Sequence, residues 1–149
     1  MTASPDGDSP HAALERELAI FVRRARSASD RLSREVHPEV DAAAYGLLLR
    51  LWDHGPQRPT DLADHVGVGK ATITRQLKPL EALGLIERLP EPGDGRAHLW
   101  TLTDKGHNRM AQVRQARRDR MHDVLASWPE GDIRTLTALL GRLNAIPPK

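Results

Sequence analysis

The sequence predicts a mainly α-helical chain interrupted once by a small β-hairpin, and three observations carry that reading. Apolar residues recur at steps of three and four along most of the chain, as in Leu14, Leu18, Phe21, Val22 and Ala25. Only at Leu85–Leu89 and Leu99–Thr103 do short strand-like runs replace that spacing, with a Gly- and Pro-rich stretch over 90–97 between them. Helix-stopping residues, namely Pro38, Gly55-Pro56, Gly67, Gly84 and Pro129, fall in the gaps between the periodic stretches.

Taken in order, the polar segment 1–10 reads as a disordered tail. The first helix runs from His11 to about Val36 and is broken by Pro38, because proline disfavours helical geometry at the residue before it. The second runs from about Glu39 to Asp53. Its stretch Gly46–Leu51 is apolar nearly all round, which predicts a central position. A short helix from Thr60 to His65 follows, with Thr60 placed to cap it and Gly67 to end it in a left-handed turn. The next helix spans about Lys70 to Leu83 and stops at Gly84. After the hairpin, Thr103 or Asp104 caps a long helix reaching to about Trp128. A last helix carries Ile133, Leu136, Leu140 and Leu143 at heptad-like spacing. The domain reading is therefore a tail over 1–10, a helix over 11–36, a compact lobe over 37–103 and two helices over 104–149.

Composition narrows the classes. With 149 residues the chain fits one domain, or one lobe plus an association region. Only 39% of residues are apolar and the aromatic ones are few (Phe21, Tyr45, Trp52, Trp100 and Trp128), so burial is expected to be completed against a second copy. The formal charge is +2, so any basic surface must come from placement. The absence of cysteine removes disulfides, thiolate zinc sites and thiol redox sensing. Neither a membrane-length apolar run nor a signal-peptide core is present, which predicts a soluble, cytoplasmic protein with no membrane partner.

The chemistry concentrates between Thr60 and Thr103. Two short helices joined by a Gly-bearing turn form a helix-turn-helix, in which one helix braces a DNA backbone and the next enters the major groove. In that second helix Ile73, Leu77, Leu80 and Leu83 fall on one inward stripe. Lys70, Ala71, Thr72, Thr74, Arg75 and Lys78 are left outward, and Arg75 is long enough to fork onto a base edge. A solvated helix surface is the competing reading of that polar face. The hairpin directly behind it, with Gly93-Asp94-Gly95-Arg96 at its tip, weighs against it, because a flexible loop bearing a cation is what a minor-groove wing needs.

These residues resemble a known family. Leu62-Ala63, then Val68 to Arg75, then Leu80 to Arg88 are similar to the winged-helix core of the MarR family, as are Asp94-Gly95-Arg96 and Leu102-Thr103-Asp104-Lys105-Gly106. The single pieces are common; the ordered string is specific. The resemblance implies a winged helix-turn-helix flanked by N- and C-terminal dimerisation helices. It implies a homodimer on a near-palindromic operator, most often a repressor released by a small ligand. By position, Lys70 to Lys78 resemble the major-groove face, Arg96 the minor-groove arginine, and Asp94 and Arg88 wing-supporting residues. The resemblance places the effector between the dimer helices and the DNA-binding lobe, near Tyr45 and Trp52, for which ordinary core packing is the competing reading. Without cysteine, a small phenolic or lipophilic effector is the class left open. Three departures soften the reading head: Gly69 where a capping Ser is usual, Gly95 where a second basic residue is common, and Pro79 inside the recognition helix, where a slight bend is expected.

Other classes fit less well. No nucleophile elbow, phosphate loop, zinc-protease motif or calcium loop occurs, so no catalytic residues and no cofactor are assigned. The histidines, His11, His37, His54, His65, His98, His107 and His122, never stand three or four apart on one helix face, so no metal site is assigned. The alternatives kept open are a winged helix that binds protein and a metal-responsive regulator. The cluster Arg114, Arg117, Arg118 and Arg120 reads as a solvated, salt-bridging face.

Overall fold

The computed structural model describes residues 9–147; of the tail predicted over 1–10, residues 1–8 lie outside them, while Ser9 and Pro10 belong to the start of the first helix. Helix α1 spans Pro10–Val36 and starts earlier than its periodicity indicates. Ser9 accepts the Ala12 amide at 3.1 Å and Pro10 occupies the first turn, where a missing N–H costs nothing. Helix α2, Ala42–His54, begins three residues later than expected because Asp41, not the Glu39 region, supplies the cap, accepting the Ala44 amide at 2.8 Å. Gly55, at φ 71°, ends it.

Helix α3 is Pro59–Val66, and here the expected cap fails. Thr60 lies inside the helix; Arg58 occupies the cap position without a side-chain cap bond, because Pro59 is preorganised for the first helical residue. Gly67 adopts the anticipated left-handed geometry at φ 77°, ψ 33°. Helix α4, Lys70–Ala82, passes through Pro79 without ending and stops against Gly84 at φ 71°.

The hairpin is longer than its sequence pattern indicates. Strand β1 is Ile86–Glu91 and β2 is Asp94–Leu102, antiparallel, with Ile86 opposite Leu102 and Pro90 opposite His98. Most of the stretch read as a loop over 90–97 is therefore strand. The turn is Pro92-Gly93, with Gly93 at φ 85°, the Pro-then-Gly order of a type II turn. Gln57, just before α3, joins the sheet edge through two backbone bonds to Trp100, of 2.9 and 2.8 Å.

Helix α5, Asp104–Leu125, ends short of Trp128, and α6 is Glu130–Asn144. The chain divides into two compact units, Met1–Val113 and Arg114–Lys149. In the first, Leu32, Val36, Tyr45, Leu48, Leu51, Leu62, Ile73, Leu77, Trp100 and Met110 belong to one buried core. Arg109 closes the end of α1, donating from Nε to the Val36 carbonyl at 2.9 Å. In the second, no described residue is buried, and Met121, Val124, Trp128, Leu136, Leu139, Leu140 and Leu143 are exposed. Among the described residues no helix is long and apolar enough to cross a membrane.

Candidate nucleic-acid interface

The division of α4 into two faces follows from its sequence. Ile73, Leu77 and Leu80 are at most 1% exposed and pin the helix to the core, with Leu83 half-buried behind them. Lys70, Ala71, Arg75 and Lys78 are exposed and Thr72 and Thr74 half-buried. The Thr74 hydroxyl is already used, donating to the Lys70 carbonyl at 2.9 Å, which leaves its methyl group as the free part of the side chain. Gly69 makes no side-chain cap, which leaves the first α4 amides without a side-chain partner from that position. Pro79 brings no N–H to the ladder, yet its carbonyl accepts the Leu83 amide at 3.0 Å and the helix closes normally beyond it.

The C-terminal end of α4 is tied down by the chain that leaves the hairpin. The Thr103 hydroxyl donates to the Gly84 carbonyl at 2.5 Å, the Thr103 amide to Leu85 at 3.1 Å, and Lys105 Nζ to Leu83 at 2.8 Å. A cation at a helix C-terminus also complements the helix dipole. Thr103 is simultaneously the cap of α5, accepting the Gly106 amide at 3.0 Å. Gly106 itself abuts the sheet: a Cβ there would sit 2.1 Å from the Leu85 oxygen, so only glycine fits. The end of α4, the hairpin and the start of α5 thus share one knot of hydrogen bonds.

Arg88 and Asp94, expected from the sequence as wing supports, both make contacts around the hairpin. Arg88 Nε lies 3.2 Å from Glu81 Oε1 on α4, and its guanidinium stacks 4.8 Å over the Trp100 ring. Asp94 Oδ1 accepts the backbone N–H of Arg96 at 3.1 Å, so it holds the main chain of the wing cation and not its guanidinium. Arg96 is exposed on the outgoing strand. A further brace went unseen in the sequence: Arg58 forms an ion pair with Glu91, donating from Nε at 2.6 Å and also from Nη2. The run 54–59 reads only as a helix stop, and nothing local points to a partner 33 residues away.

A family model described as the MarR family matches residues 41–98. Over 136 residues the chain is 32% identical to the HTH-type transcriptional regulator YxaD of Bacillus subtilis, an alignment covering 91% of this chain and 94% of that one. The chain belongs to the MarR family. It is 31% identical to the HTH-type transcriptional repressor NicR of Pseudomonas putida over 94 residues, 63% of this chain and 53% of that protein. The wild-type MarR structure from E. coli superposes with a TM-score of 0.63 at 26% identity, covering 85% of this chain and 96% of that one. RV1404 from Mycobacterium tuberculosis shares the fold over all of this chain and 99% of its own, with a TM-score of 0.80 at 23% identity. Membership makes this chain a DNA-binding transcriptional regulator and not an enzyme.

For a MarR-family chain the two aromatics singled out as effector contacts differ in setting. Tyr45 is 2% exposed and part of the core. Trp52 is half-buried, its ring 5.4 Å from that of His107. Neither lines the concavity of about 410 Å³ between the end of α5 and the start of α6, which is walled by Met121, Leu125, Trp128 and Ile133 among others. Among the described residues no group of three His, Asp or Glu side chains is arranged to hold a metal ion.

Proposed function

We propose that this regulator acts as a homodimeric repressor on a near-palindromic operator. The outward face of α4 from Lys70 to Lys78 reads the major groove and Arg96 enters the flanking minor groove. The observation that carries this reading is the hydrogen-bonded and ionic bracing of the wing to α4 through Arg88, Glu81 and Thr103, which joins the two reading elements into one head. Homodimerisation is supported by the apolar side chains that α5 and α6 leave uncovered, because large exposed apolar surface marks an association site. A two-fold pair would present two α4 helices one duplex turn apart, about 34 Å. The repressor role is supported by the likeness to NicR. Release by a small phenolic or lipophilic effector completes the reading, with half-buried Trp52 a more accessible contact than buried Tyr45.

Selection of bound fragments from the host genome supplies the operator. On that duplex Arg75→Ala is expected to weaken binding by roughly 1–3 kcal/mol and relax preference at one base pair. Wild-type affinity should also fall steeply with salt as counterions return to the phosphates. Operator binding untouched by Arg75→Ala, with a flat salt response, would instead favour a winged helix that recognises protein.

A further inference from the structure

A two-stranded hairpin is only marginally stable alone in water, so a wing that must reach a defined groove needs tethers outside itself. The geometry points to Arg58 and Glu91 as the positioning pair that sets the wing's reach toward DNA, an inference that rests on the DNA-reading role proposed above. The segment entering α3 grips the hairpin twice. Near the base, Gln57 exchanges backbone bonds with Trp100. Near the tip, Arg58 places two guanidinium nitrogens on one carboxylate oxygen of Glu91.

Glu91 is shaped for that contact. It is the last residue of β1, where the register slips between Pro90 and Glu91, so that Pro90 faces His98 but Glu91 faces Asp94. Bulges of this kind re-aim a side chain. Here the result is a glutamate side chain only 14% exposed between two exposed prolines, at a hairpin tip where glutamate is ordinarily solvated. The hydrogen bond and the charge of Glu91, with smaller contributions from Asp61 and Asp94, hold the Arg58 guanidinium more firmly protonated than usual. Asp94, opposite Glu91, in turn fixes the Arg96 backbone. A connected path therefore runs from the front of α3 to the wing cation.

Arg58 is itself more than half exposed, so the pair adds little to global stability and its loss should register in DNA reading instead. The test uses the full-length protein and the genomically selected duplex, with flanks made A·T-rich or G·C-rich. Glu91→Gln and Arg58→Ala should each weaken binding about three- to tenfold and blunt the flank preference, with melting temperature nearly unchanged. The charge swap R58E/E91R should recover most of both, and Arg58→Lys, which keeps charge without the fork, should fall between. Glu91→Gln binding as well as wild type while Arg58→Ala alone loses affinity would make Arg58 a phosphate ligand and overturn the inference; so would wild-type binding by both. Wild-type protein that favoured no duplex would sink the reading role and this inference together.

Discussion

From Leu32 to Val113 every element gives at least one side chain to a shared core, whereas from Arg114 onward no described residue is buried. Both regions have helices with apolar residues at similar spacing. In the lobe, α2 and α4 meet other elements of the same chain, and Leu47, Leu48, Ile73 and Leu77 reach 0% exposure. In the C-terminal unit, Leu136, Leu139 and Leu143 stay 40–52% exposed and Val124 reaches 70%. Burial of each such side chain is worth about 1.5–3 kcal/mol, too much to leave unclaimed in a working protein. The lobe is a finished core; the C-terminal helices leave their apolar side chains uncovered.

The largest effect expected on that contrast comes from Gly106→Ala. The new methyl would meet the Leu85 carbonyl at 2.1 Å, a backbone atom that cannot swing aside. Overpacking of this kind should cost about 3 kcal/mol or more, read as a drop in the denaturant midpoint, and it should loosen the recognition helix with the wing. A loss of only a few tenths would mean that the knot around Thr103 is softer than its bonds indicate.

Leu140→Asp probes the other region and should cost somewhat less. It is expected to remove about 1.5–3 kcal/mol of apolar association per chain and shift sedimentation from two chains toward one. Slow hydrogen exchange at Leu48 and Leu77 should persist, because the lobe core does not use α6. Exchange that became fast throughout would break the contrast, showing that the lobe too depends on association.

The smallest change is a gain. Gly69 stands at φ −73°, ψ 159°, and a Cβ added there would meet nothing within 4 Å, so a serine fits without strain. Gly69→Ser should add a cap to α4 and raise stability by a few tenths of a kcal/mol. Thermal unfolding monitored by circular dichroism would detect it, and an unchanged midpoint would indicate that the α4 amides already have partners.

Much of the fold is legible in the chain, and for identifiable reasons. The inward stripe of α4 follows from the period of 3.6, and the turn residues Gly67 and Gly84 from their tolerance of positive φ. The misses are equally physical. Thr60 lost the cap to Arg58 because Pro59 claimed the first helical position. The strands ran on to Glu91 and began again at Asp94 because cross-strand bonds, which no local spacing reports, overrode the Gly and Pro content outside the Pro92-Gly93 turn. Lys70, Arg75, Lys78 and Arg96 stand on exposed surface as their polarity implies, but the braces at Arg58–Glu91 and Thr103–Gly84 leave no local trace.

By itself the sequence determined the helices, the single hairpin and the polarity of each face, since these depend on contacts within a few residues. Only the tertiary structure decided which apolar stripes are finished and which remain open, because leucine at helical spacing looks the same in either case. It also decided that Glu91 at the hairpin tip meets Arg58 at the mouth of α3. A pair separated by 33 residues leaves no period in the chain, and its partners become known to each other only when the lobe has closed.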